Sequence, residues 1–154
     1  MTKVNQRCTR EAGKNFTGGD MPDREHRTLK ILVIEDESIC RTMTQKILKG
    51  RGHDVVEAHD GKEALFNLQN EKFDIVFMDV KLPVMDGVEA TRRIRNGEAG
   101  DPKVPICALT ALAMPGDKEK CLAAGMDFYL SKPILFEELY SVLEIFEQPQ
   151  RNPN

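Results

Sequence analysis

Phe73-Asp74-Ile75-Val76-Phe77-Met78-Asp79-Val80-Lys81-Leu82-Pro83-Val84-Met85-Asp86-Gly87 is the stretch that decides the fold. The near-continuous apolar run Phe73 to Met78 reads as a central strand covered on both faces. It ends in a carboxylate, Asp79, and Leu82-Pro83 and Asp86-Gly87 then shape a loop before the next helix-period segment.

Outward from this strand, short apolar runs alternate with helical periods, the sequence form of an α/β protein with a parallel sheet. The runs are Leu29 to Ile34, Val55 to Ala58, Phe73 to Met78, Val104 to Leu109 and Phe128 to Leu130. Between them, Ile39, Met43 and Ile47 form a stripe ending at Gly50, a C-terminal cap. Asp60 with Glu63, and Asp86 with Glu89, have capping-box spacing. A further helix is expected over Gly116 to Ala124, stopping at Gly125. The last carries Leu135, Leu139, Val142, Leu143 and Phe146 on one face.

With 154 residues and 40% hydrophobic content the chain supports one core. Residues 1–28 have no apolar period and are expected to be a disordered leader or linker; 29–147 form the domain and 148–154 a disordered tail. The leader holds six of the 22 basic and four of the 25 acidic residues, so the remainder carries a net −5. That balance argues against direct nucleic-acid binding. No apolar run approaches the ~20 residues of a membrane span. Cys8, Cys40, Cys107 and Cys121 lie far apart without a C-x-x-C pair, which fits a cytoplasmic, reducing setting and neither zinc nor a disulfide scaffold. His26, His53 and His59 fall in the expected leader or at the edge of the second run, away from Asp79, and read as structural or exposed.

In an open parallel sheet the ligand site lies at the carboxyl ends of the strands. Here those ends carry Glu35-Asp36, Asp79 and Thr110, with Lys132 two residues beyond the fifth run. Three adjacent carboxylates repel by ~4 kcal/mol per pair at about 4 Å and an effective dielectric of about 20, so the cluster must take up protons or a cation. An oxygen-only donor set favours Mg²⁺, or its mimic Mn²⁺, over zinc. Glu37 reads as an ordinary helix-capping carboxylate.

These residues resemble the receiver domains of two-component response regulators. The resemblance covers about Leu29 to Phe146 and rests on Glu35-Asp36, Asp79 through Gly87, Leu109-Thr110-Ala111 and Tyr129-Leu130-Ser131-Lys132-Pro133. Their separations are 43 residues from Asp36 to Asp79, then 31 to Thr110 and 22 to Lys132. The resemblance implies a flavodoxin-like, doubly wound five-stranded parallel sheet of order 2-1-3-4-5 with helices on both faces. It makes Asp79 the phosphoacceptor, attacking a phosphohistidine on a histidine kinase or histidine phosphotransfer protein. Asp36, Asp79, Glu35 and the Lys81 backbone carbonyl would hold Mg²⁺, Lys132 and Thr110 would contact the phosphoryl group, and Thr110 with Tyr129 would switch. The output would be a downstream protein partner, with a phosphorylation-dependent homodimer admitted. The chain would thus be a signalling module with self-phosphorylation and slow autodephosphorylation rather than a turnover enzyme. A cis peptide before Pro133 is implied as well.

Glu35 departs from the aspartate many relatives carry first in the pair. By family analogy Lys81 and Leu112 flank the path of hydrolytic water and would alter the phosphoryl lifetime. Ala108 to Ala113 and Ala124-Gly125-Met126-Asp127 resemble receivers of hybrid histidine kinases, whereas Met1 and the absence of an attached kinase argue for a separate polypeptide. Two other functions compete. A Mg²⁺-dependent aspartyl phosphatase would need a second acid at the position of Lys81, and a phosphorylation-independent scaffold would not need the intact set.

Overall fold

The computed structural model describes residues 27–111 and 114–148. Residues 1–26 of the expected leader, 149–154 of the expected tail, and Cys8, His26, Leu112 and Ala113 lie outside the described residues.

Among the described residues, five strands and five helices alternate: β1 (Lys30–Ile34), α1 (Ser38–Gly50), β2 (Asp54–Ala58), α2 (Gly61–Asn70), β3 (Ile75–Asp79), α3 (Gly87–Arg95), β4 (Ile106–Thr110), α4 (Asp117–Ala124), β5 (Phe128–Ser131) and α5 (Phe136–Glu147). All strand pairs are parallel and the sheet order is β2-β1-β3-β4-β5, as the resemblance implies. β3 and β4 are buried at every position. Their alternate residues feed two cores. Val76, Met78, Ile106 and Ala108 pack with Ala64, Leu68, Ala90, Ile94 and Cys121 on the side of α2, α3 and α4. Ile75, Phe77, Cys107 and Leu109 pack with Leu48, Leu139, Val142 and Leu143 on the side of α1 and α5. This two-sided cover is why those runs are apolar without alternation.

The capping signals at Asp60 and Asp86 hold: each carboxylate accepts from the backbone N–H three residues on, at 2.9 Å. Gly116 and Gly125 flank α4 with φ of 91° and 112°, left-handed values that suit glycine. The apolar stripe of α1 differs from expectation. Ile39 and Met43 are 67% and 56% exposed, and the residues turned inward are Thr44 and Leu48. The rows 39/43/47 and 40/44/48 are adjacent on a helix, and the second of them meets the sheet. Gly50 is the last helical residue rather than the cap; the left-handed turn comes at Gly52, φ 96°. Leu135 precedes α5 and is half exposed, its carbonyl accepting from Glu138 and Leu139. No helix among the described residues is long and apolar enough to cross a membrane.

At the amino ends of the strands, opposite Asp79, His53 is buried and structural, the first of the two expected readings. Its Nδ1 accepts from the Leu29 N–H at 3.0 Å, which leaves Nε2 to donate to Glu147 Oε2 at 2.6 Å. Arg51 grips the same carboxylate through two bonds, 2.7 and 2.9 Å, and lies 4.2 Å over the Tyr140 ring. Burial alone would raise the Glu147 carboxyl; the hydrogen bonds from His53 and Arg51 outweigh it and hold the carboxyl at about 2.

Candidate functional site

Each polar residue of the site is delivered by the end of a strand. Asp79 closes β3 at 5% exposure, where the apolar run stops and the chain turns outward. Glu35, 2% exposed, follows β1, and its N–H donates to Ala58 O on β2 at 3.1 Å. Asp36 is next in sequence and open to solvent. Carboxylate oxygens of Glu35, Asp36 and Asp79 lie within 4.8 Å of one another. Lys132 comes in from beyond β5, its N–H donating to Thr110 O at 2.7 Å, and the Lys132–Pro133 bond is cis.

The ammonium of Lys132 bridges two of the carboxylates, 2.7 Å from Glu35 Oε1 and 3.0 Å from Asp79 Oδ2. The second Asp79 oxygen, Oδ1, accepts the Lys81 N–H at 3.1 Å. Burial pushes the Glu35 carboxyl up to about 7 despite the Lys132 bond, with neighbouring Asp79 adding to the rise. Burial works against the Lys132 charge, but its bonds to Glu35 and Asp79 prevail and raise its pKa. Three carboxylates and one ammonium leave two uncompensated negative charges if all are ionised, and a hard divalent cation matches that deficit with oxygen donors only.

Thr110 closes β4 beside β3 and is 3% exposed. On the neighbouring strand, burial first and the acidic Asp117 next push the Tyr129 phenol above its ordinary range, while the Thr110 side chain works in the opposite direction. Thr110 and Tyr129 thus sit on adjacent strands, with Tyr129 opposite Ala108 and Thr110 opposite Ser131. Glu37 does not cap α1 with its side chain; Oε1 takes the Cys40 thiol at 3.3 Å instead. Cys107 is buried in β4, and burial pushes its thiol well above the ordinary range, so it is a small hydrophobe as expected.

Three features escaped the sequence reading. Gly87 opens α3, and a Cβ there would fall on the Asp79 carbonyl oxygen and 3.0 Å from Val80 Cα, so only glycine lets the helix start against the end of β3. The Asp86-Gly87 pair was the available signal. Val84 in the same loop adopts φ 68°, a left-handed conformation strained for a β-branched residue. Arg41, one turn into α1, folds back so that Nη1 donates to Glu35 O at 2.9 Å and reaches Asp36 O at 3.4 Å.

The sequence profile of the response regulator receiver domain matches residues 31–144. A hybrid signal transduction histidine kinase I of Dictyostelium discoideum is 42% identical over 120 residues, covering 74% of this chain and 7% of that protein. Sensor protein GacS of Pseudomonas syringae pv. syringae is 40% identical over 124 residues, 79% of this chain and 14% of that protein. The chain thus spans a small part of the length of these relatives. Among solved structures, the receiver domain of a sensor histidine kinase from Pseudomonas aeruginosa has 42% identity and a TM-score of 0.71, covering 77% of this chain and 96% of that one; it holds a magnesium ion in its active-site cleft. The receiver domain of a Saccharomyces cerevisiae response regulator, crystallised with its histidine phosphotransfer protein, has 29% identity and a TM-score of 0.73, covering 79% of this chain and 90% of that one.

Proposed function

We propose, for a chain that belongs to the response regulator receiver family, that Asp79 accepts a phosphoryl group from a phosphohistidine on a histidine kinase or histidine phosphotransfer protein. The observation that carries this reading is the placement of Asp79: a buried strand-end carboxylate with one oxygen on Lys132 and the other on a backbone N–H, beside two further carboxylates. Asp36, Asp79, Glu35 and the Lys81 carbonyl are the candidate ligands for Mg²⁺, with Mn²⁺ as its substitute, and their all-oxygen chemistry fits that ion. When bound, the ion supplies positive charge against the equatorial phosphoryl oxygens.

The chain's own residues do the rest. An Asp79 oxygen attacks phosphorus as the P–N bond to imidazole breaks, giving an acyl phosphate and free histidine. Lys132, already directed at Asp79, moves its charge onto a phosphoryl oxygen, a preorganised contact that develops with the transition state. The new group adds about −1.5 to −2 charge and acceptor oxygens. The Thr110 hydroxyl moves toward one of them and the Tyr129 ring turns inward behind it, which reshapes the surface of α4, β5 and α5 for a downstream protein or a second phosphorylated copy.

Beryllofluoride titration followed by NMR tests this. Mg²⁺-dependent shifts at Thr110 and Tyr129 that vanish in Asp79→Asn are expected; shifts that persist in that variant would remove Asp79 from the chemistry. The matched relatives favour a setting within a hybrid histidine kinase, and phosphotransfer rates from a kinase compared with those from a phosphotransfer protein distinguish the donor.

A further inference from the structure

We infer that Arg41 is a positioning residue: its guanidinium, laid across the backbone carbonyls of Glu35 and Asp36, holds the acidic loop in the geometry that binds the divalent cation. The inference rests on the reading of Glu35 and Asp36 as metal ligands.

The side chains of the loop between β1 and α1 are held by Lys132 on Glu35 Oε1 at 2.7 Å and by the Cys40 thiol on Glu37, but its backbone has few restraints besides Arg41. The Glu35 N–H is fixed by Ala58 O, and the Glu37 N–H touches Glu35 Oε2 only at 3.3 Å. The Glu37 side chain, at the N-cap position, does not cap α1. Arg41 supplies the missing hold on the carbonyl side, with Nη1 at 2.9 Å from Glu35 O and 3.4 Å from Asp36 O. Its Nε lies 3.4 Å from Glu57 Oε1 on β2, so the guanidinium ties the loop to the neighbouring strand. That last contact is an ion pair without a hydrogen bond, for Nε is buried and has no hydrogen-bond partner. A buried N–H left unbonded is a cost to stability, so the placement serves the carbonyls and not the arginine's own satisfaction.

Charge and position make opposite forecasts. A cation beside a divalent-ion site repels the ion, so if charge alone mattered, neutralising Arg41 would tighten Mg²⁺ binding. If position matters, neutralising it loosens the loop and weakens binding. Lysine separates the two, because it keeps the charge but its single compact head cannot span both carbonyls and Glu57 as a planar fork does.

The experiment is Mg²⁺ binding by calorimetry on the full chain for wild type, Arg41→Gln and Arg41→Lys, together with amide hydrogen exchange of the metal-free proteins. Outer partners of metal ligands commonly contribute about 10- to 100-fold to affinity, and losses near the lower bound, about tenfold, are expected for both variants. Exchange at the Glu35, Asp36 and Glu37 amides is expected to accelerate, with the urea midpoint of Arg41→Lys close to wild type. Unchanged or tightened Mg²⁺ binding in Arg41→Gln, or full retention in Arg41→Lys, would overturn the positioning role. If wild type itself takes up no Mg²⁺, the metal reading fails along with this inference, and the metal-free exchange rates then show whether Arg41 orders the loop for another reason.

Discussion

Glu147→Gln is the sharpest perturbation of the fold away from Asp79. The carboxyl is held at about 2 against an ordinary 4.5, by His53 and Arg51 acting against burial. At about 1.4 kcal/mol per pKa unit, that difference corresponds to roughly 3 kcal/mol at neutral pH. Glutamine keeps the shape and part of the hydrogen bonding, so a loss of about 2 to 3 kcal/mol is expected. A carboxyl whose folded value lies below its unfolded value stabilises the fold above the unfolded value. That contribution fades as pH falls toward the folded one. The gap between wild type and Glu147→Gln should therefore be full at pH above about 5 and shrink by roughly 1 kcal/mol or more by about pH 3.5. Urea unfolding followed by far-ultraviolet circular dichroism at both pH values measures it. A gap under about 0.5 kcal/mol at neutral pH, or one that stays constant to about pH 3.5, would refute the clasp as an ionised carboxylate held by its two partners.

Gly87→Ala should displace the end of β3, because the new methyl meets main chain that cannot swing aside. A stability loss of about 1 to 3 kcal/mol is expected, with a larger loss of phosphorylation rate, and wild-type rates in the variant would contradict it. Lys132→Met should leave Mg²⁺ binding intact or tighter, since one cation fewer faces the site, while phosphorylation from a small donor falls by about 10²-fold or more. Equal losses in binding and rate would point to a collapsed site instead.

The central strands and the site residues were legible because each is encoded locally. Ile75 to Met78 is apolar at every position since both faces are covered, and Asp79 marks the place where cover ends. Glu35, Thr110 and Lys132 follow the same rule at their own strand ends, so one topological principle gathers residues far apart in sequence. The face of α1 was misread because Ile39 and Met43 look like core by composition alone, and only the position of the helix on the sheet selects the adjacent row. His53 and Glu147 lie 94 residues apart, and nothing near either one announces the other. Arg41 was hidden for a different reason: an arginine in the first turns of a helix reads as solvated charge until the backbone carbonyls it covers are placed.

Intact-protein mass spectrometry after incubation with acetyl phosphate, with and without Mg²⁺, is the most direct test of the phosphoacceptor role. A single phosphate adduct that requires Mg²⁺ and is absent in Asp79→Asn is the predicted result. An adduct that forms equally in Asp79→Asn, or none in wild type under conditions where beryllofluoride also fails to bind, would contradict it.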